Sequence, residues 1–168
     1  GYFDGINKDL KYATNASGLW VKTTVDSTGE VGRGVISLAI DASDKVHISY
    51  YDYTTSSLKY ATNASGYWTA TNVNNGGYGY SSCLALDSSG KVHISYGTYP
   101  SLKYVTDASG SWITETVYSS GSFDVWEKSL VLDTSDKIHI SYSQDTTNVG
   151  VDYDLKYATK LPTPTGTA

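Results

Sequence analysis

The chain has 168 residues, 13% of them aromatic, and a net charge of −5. That balance argues against nucleic-acid binding, which needs clustered Lys and Arg on phosphates, and no apolar run approaches the roughly 20 residues that span a bilayer. Tyrosine occurs 16 times, methionine is absent, and glutamate appears only as Glu30, Glu115 and Glu127, a strand-like composition poor in helix formers.

The chain opens on Gly1-Tyr2-Phe3-Asp4, which aligns with Ser49-Tyr50-Tyr51-Asp52 as the tail of a strand. From there one pattern is repeated. Leu-Lys-Tyr begins at Leu10, Leu58, Leu102 and Leu155, at intervals of 48, 44 and 53 residues. Ten residues after the first three come Trp20, Trp68 and Trp112. His-Ile-Ser-Tyr begins at His47, His93 and His139, each preceded by an apolar strand ending in Asp41, Asp87 or Asp133. Each unit predicts four strands, which in the first whole copy cover 35–41, 46–52, 58–62 and 67–73. The turns between the first two strands hold Asp, Ser and Gly, which bond the backbone and tolerate positive φ. In the second strand Val46, Ile48 and Tyr50 face one way, and His47, Ser49 and Tyr51 the other.

Four strands every 40–50 residues are the mark of propeller blades. The predicted fold is therefore an all-β β-propeller with about three four-stranded blades per chain. A partial blade covers 1–26, whole blades 35–74 and 81–118, and a second partial blade 129–159. The propeller repeats run over 1–160, and 161–168 form a Pro/Thr-rich linker tail. Gly1 and that tail together predict a piece of a larger exported protein. Two chains joined head to tail are expected to close a six-bladed ring. In it the fourth strand of one copy, at Trp20 to Val25, completes the last blade of the other, and one third strand is left over.

The strings Ser-Leu-Ala-Leu-Asp and Lys-Val-His-Ile-Ser-Tyr, followed by Leu-Lys-Tyr-Ala-Thr-Asn-Ala-Ser-Gly-x-Trp, resemble bacterial and archaeal extracellular β-propeller repeats. The resemblance runs to about Lys160 and implies the fold rather than a function. The turns from Thr14, Thr62 and Thr106 to their tryptophans are more loosely similar to the Asp-box of sialidase-type propellers, with the spacing about the glycine off by one. Sialidases bind a carboxylate with three arginines, and this chain has only Arg33.

His47, His93 and His139 hold the same place in three blades, so they read as blade-building groups rather than ligands of one ion. The recurring lysines and aspartates read the same way. Cys83, alone and within an apolar stretch, reads as a small buried hydrophobe. Asn15 and Asn63 match the glycosylation acceptor pattern, in a turn that favours Asn anyway. No nucleophile elbow, zinc-helix motif or phosphate loop is present, so no catalytic residue, metal or cofactor is expected. Glu30, Asp124 and Glu127 are read as loop acids. Function is expected where the blades differ, in loops that converge on one face. The candidate ligand-binding residues are Arg33, Tyr78, Tyr80, Trp126 and Glu127.

The functional expectation is a non-catalytic extracellular or cell-surface binding or scaffolding module. Its expected partners are a second copy of the chain and a glycan or protein ligand. The alternatives are a lectin-like carbohydrate binder and a polysaccharide hydrolase or lyase.

Overall fold

The computed structural model describes residues 1–75, 81–120, 125–145 and 152–161, with only the backbone for 125–128. The predicted tail lies outside them apart from Leu161. The chain divides into two compact units, Gly1–Tyr80 and Ser81–Ala168.

In the first unit, β1 (Tyr2–Asp4), β2 (Asp9–Thr14) and β3 (Val21–Asp26) form a three-stranded sheet. Next come β4 (Ser37–Ile40), β5 (Val46–Asp52), β6 (Ser57–Thr62) and β7 (Thr69–Asn75), a four-stranded sheet in sequential order. The second unit holds β8 (Ser82–Leu86), β9 (Val92–Thr98), β10 (Ser101–Thr106) and β11 (Ile113–Ser119), again four strands in sequence. It ends with a three-stranded sheet of β12 (Val125–Leu132), β13 (Ile138–Asp145) and β14 (Tyr153–Lys160). Every pairing is antiparallel between sequence neighbours, the up-and-down order of a propeller blade.

Register shows that the copies are equivalent. Tyr2 pairs with Lys11, Tyr50 with Lys59, Tyr96 with Lys103 and Tyr142 with Lys156. The first sheet thus carries the second to fourth strands of the repeat, and the last sheet the first to third.

Several boundaries differ from expectation, and the predicted fourth strand 67–73 lies two residues later, at Thr69–Asn75. The first strand of the second sheet starts at Ser37; before it Ile36 packs on the core of the first unit and Val35 is exposed. β12 starts at Val125, four residues early, because β13 runs on to Asp145 and offers partners for the extra length. Trp126 and Glu127, expected in a loop, therefore pair with Ser143 and Tyr142, with a register shift between Glu127 and Ser129. Such a bulge absorbs the extra residue at a sheet end.

The sequence alternates along β5, but the strand has no solvent face, since all seven residues are buried. One side of it packs on the first sheet. Leu10, Val25, Val31, Val46, Ile48, Tyr50 and Ala61 make the core there, with Tyr12, Ile36 and Trp68 against it. Full burial of a side chain such as Ile48 stabilises by about 1.5–3 kcal/mol. Trp68 lies with its ring 5.6 Å from that of Tyr12, tilted by 58°. In the second unit Leu102, Tyr104, Leu130, Ile138, Ile140 and Tyr142 form the core, and Cys83 packs half-buried against them.

The repeated polar residues lock each sheet from within. Asp41 Oδ1 accepts the N–H groups of Ser43 and Lys45, closing the turn. Its Oδ2 accepts from His47 Nε2 at 3.3 Å, and His47 Nδ1 meets the Tyr60 hydroxyl at 2.5 Å. The same clasp joins Asp87, His93 and Tyr104, and again Asp133, His139 and Tyr157. The Lys45 N–H helps hold the Asp41 carboxyl below the usual range. An ionised carboxylate only accepts, so Nε2 donates to it, and in the neutral imidazole Nδ1 accepts from the phenol. The three histidines are thereby committed to their own sheets, as the repeat implied. The turn tips sit at positive φ, +59° at Asp44, +79° at Gly90 and +58° at Asp136, the conformation these short polar residues and glycine accept. At the next turn Asn63 Oδ1 accepts the Val46 N–H, and Asp107 Oδ1 that of Val92.

Candidate functional site

The loop between β3 and β4 is fixed by the two turns beside it. Val31 donates its N–H to Lys8 O in the β1–β2 turn, and Gly32 donates to Tyr51 O. Tyr53 donates to Glu30 O, and Glu30 N–H in turn donates to Thr54 Oγ1. Val31 forms an isolated bridge with Asp52 and is wholly buried. Aspartates cap all three segments: Asp4 Oδ1 accepts from Ile6, Asp26 Oδ1 from Thr28 and Asp52 Oδ1 from Thr54. These are Asx turns, set by the residue that ends each strand.

This frame brings together four side chains from three segments. Glu30 Oε1 accepts from Arg33 Nη1 at 2.9 Å, and Oε2 from Lys8 Nζ at 3.0 Å. The Arg33 guanidinium carbon stands 5.0 Å from the centre of the Tyr53 ring. Lys8, Arg33 and Tyr53 are exposed, while most of Glu30 is covered. The Lys8 and Arg33 bonds hold the Glu30 carboxyl below its ordinary range. Glu30 is therefore an anionic anchor and poorly suited to donate a proton. The patch offers a cation stacked on an aromatic face, with Lys8 and Arg33 both joined to the Glu30 carboxylate.

Beneath the patch lies a buried ion cluster. Lys59 Nζ bonds Asp26 Oδ2 at 2.5 Å and Thr28 Oγ1 at 3.0 Å, with Asp52 Oδ2 at 3.8 Å. The Tyr50 hydroxyl donates to the same Asp26 oxygen at 2.6 Å. Burial pushes the Asp26 carboxyl up, but the bonds from Lys59, Thr28 and Tyr50 outweigh it and bring it to about 2. Burial and Asp26 together raise the Tyr50 phenol.

The depressed carboxyl fixes the sign of a pH effect. Its unfolded value is 3.8. The stabilisation, about 2 kcal/mol, is therefore present above pH 4 and lost as pH falls from about 4 to about 2. Thermal melts across this window are expected to show a fall that Asp26→Asn flattens. Equal slopes in the two proteins would count against the assignment.

Lysine at this position recurs, and Lys11 lies 3.7 Å from Asp4 as Lys59 lies 3.8 Å from Asp52, but the bond to an aspartate of the neighbouring sheet belongs to Lys59. Lys11 pairs with Asp9, Lys103 with Thr116 and Lys156 with Asp154, all nearer solvent. Only the first sheet ends its fourth strand in aspartate at the place opposite Leu10. Opposite Leu58 and Leu102 stand Asn74 and Tyr118.

Of the predicted site residues, Arg33 takes its place in the patch. Tyr78, Tyr80 and the loop acid Asp124 lie outside the described residues. Trp126 and Glu127 lie in β12, in the other unit. Lys8 and Tyr53 were missed as site residues. The only signal for Tyr53 was its place in a loop that varies between copies, and Lys8 had none.

The second unit has a concavity of about 210 Å³ between its two sheets. Tyr104, Val117, Ile138, Ile140 and Ala158 line it, and the Lys160–Glu115 ion pair edges it. Tyr104 holds the repeat position of Tyr12. The hollow therefore opens where a counterpart of Trp68 would lie if the last sheet had a fourth strand. No group of three or more potential metal ligands occurs among the described residues. No helix among them is long and apolar enough to cross a membrane.

Four small antiparallel sheets with one repeated register define an all-β, propeller-like repeat protein. No protein family's sequence profile matches the chain, nor does any curated protein. Solved structures do. Two are of the α-L-arabinofuranosidase Arb93A from Fusarium graminearum, one with an iminosugar inhibitor and one of a point mutant with an iminosugar inhibitor. Each is 14% identical with a TM-score of 0.48, over 74% of this chain and 44% of the other. The chain thus spans less than half the length of either.

Proposed function

We propose that the chain is an extracellular, non-catalytic binding module that holds a glycan at the patch of Lys8, Glu30, Arg33 and Tyr53. The observation that supports this reading is Arg33 stacked on Tyr53 while its guanidinium is oriented by Glu30. A sugar ring packs on an aromatic face, and its hydroxyls take up fixed donors and acceptors. The site is preformed, because Glu30 and the loop backbone hold Arg33 before any ligand arrives.

A glycan array is the direct test. Binding to a glycan of the array is expected, weakened at least roughly tenfold in Arg33→Ala and in Tyr53→Ala. Silence across the array, or binding indifferent to both substitutions, would sink the proposal. The non-catalytic part is tested separately with chromogenic glycosides, an α-L-arabinofuranoside among them. Turnover that survives purification and vanishes in Glu30→Gln would replace the binding role with a hydrolytic one.

A further inference from the structure

We propose that the exposed faces of the first and last sheets are two halves of one interface, and that a second copy of this chain docks head to tail across them. The template is inside the first unit. There the third strand of one sheet offers Leu10 and Tyr12 to the next sheet, which answers with Tyr50 from its second strand and Trp68 from the approach to its fourth. Leu10 and Tyr50 are fully buried by this packing.

Both sides recur, uncovered, on the first sheet and on the last. On the last sheet the repeat places Leu155 and Tyr157 where the first has Leu10 and Tyr12. They are 77% and 61% exposed. On the first sheet Tyr2 and Trp20 stand where the second has Tyr50 and Trp68. They are 38% and 69% exposed. The strand behind confirms which face is bare. β5 and β9 are buried along their whole length, whereas His139 and Ser141 on β13 are only half-buried between the buried Ile138, Ile140 and Tyr142. Exposed aromatic and aliphatic side chains clustered on a sheet face mark a place for a partner. Here the repeat specifies that partner's surface residue by residue. Trp20 of one copy lies on Tyr157 of the next as Trp68 lies on Tyr12, and Tyr2 meets Leu155. The His139 bond to the Tyr157 hydroxyl already holds that ring in place.

Stacking of whole sheets differs from the exchange of a fourth strand expected from the sequence. Exchange would strip β3 from its ladder with β2 and pull Asp26 away from Lys59 and Tyr50. Stacking leaves each of these bonds intact. The contact is heterologous, each copy giving a different face.

Light scattering on the intact chain tests this. The expected mass is near twice 18.1 kDa or a higher multiple, falling on dilution. A constant single-chain mass would overturn the proposal and leave the faces to some other partner. Trp20→Glu on one face and Leu155→Glu on the other should each weaken self-association at least roughly tenfold. Both sites are exposed, so the fold should survive, and an unchanged circular dichroism spectrum checks it. The two variants mixed should then form a one-to-one complex, because one interface of native composition remains. Failure of the mixture to associate, or self-association unaffected by either change, would rule out a head-to-tail contact.

Discussion

Lys59→Ala is expected to destabilise the first unit by about 3–5 kcal/mol, the cost of leaving a buried charge without its partner. Two carboxylates lose their cation at once. Asp26 and Asp52 are 6% and 2% exposed, so water does not reach them to compensate. Lys59→Met, which keeps the apolar stem, should recover little, since the missing element is charge rather than volume. Lys59→Met combined with Asp26→Asn should recover more, and the double-mutant cycle measures the coupling directly. Lys156, whose pair with Asp154 is open to solvent, serves as the control and should show a far smaller effect on substitution. Urea midpoints decide the matter. A loss below about 1 kcal/mol for Lys59→Ala would place the pair in the class of solvated surface bridges and undo the buried-cluster description.

The second large effect is at Gly32, where alanine should cost about 2–5 kcal/mol from two sources. The backbone there has φ of +80°, which a Cβ tolerates poorly. A Cβ would also lie 2.8 Å from Leu10 Cδ1 and 3.2 Å from Leu10 Cβ, in the middle of the packing between the first two sheets. Since the Gly32 N–H also ties the loop to Tyr51, the substitution should displace Glu30 and Arg33. Glycan binding is then expected to weaken together with stability. A Gly32→Ala protein that melts normally would show that the loop relaxes freely and that the patch is less preformed than its hydrogen bonds imply.

Periodicity was enough to place most of the strands. The predicted second strand, 46–52, coincides with β5, and the alignment of Tyr2 with Tyr50 returns in the registers of both with lysine. These features repeat, so each copy corroborates the others. What does not repeat was hidden. Asp26 and Lys59 are 33 positions apart and meet only because two sheets stack, which no spacing rule encodes. Lys8 meets Glu30 across two turns for the same reason. Arg33 stood out because its loop differs between copies, a signal of divergence rather than of geometry. The extension of β12 was missed because Val125 to Lys128 lie outside the repeat, so Trp126 and Glu127 read as loop.

The clasps of Asp41, His47 and Tyr60, of Asp87, His93 and Tyr104, and of Asp133, His139 and Tyr157 each close within a single sheet. A segment of DNA encoding one such sheet therefore carries its polar fastenings with it when it is duplicated. In the first unit Leu10, Tyr12, Tyr50 and Trp68 supply the packing between neighbouring sheets, and the same repeat positions recur in later copies. Unequal recombination can lengthen or shorten such a gene in whole steps, and the unevenly diverged loops are where individual copies remain free to specialise.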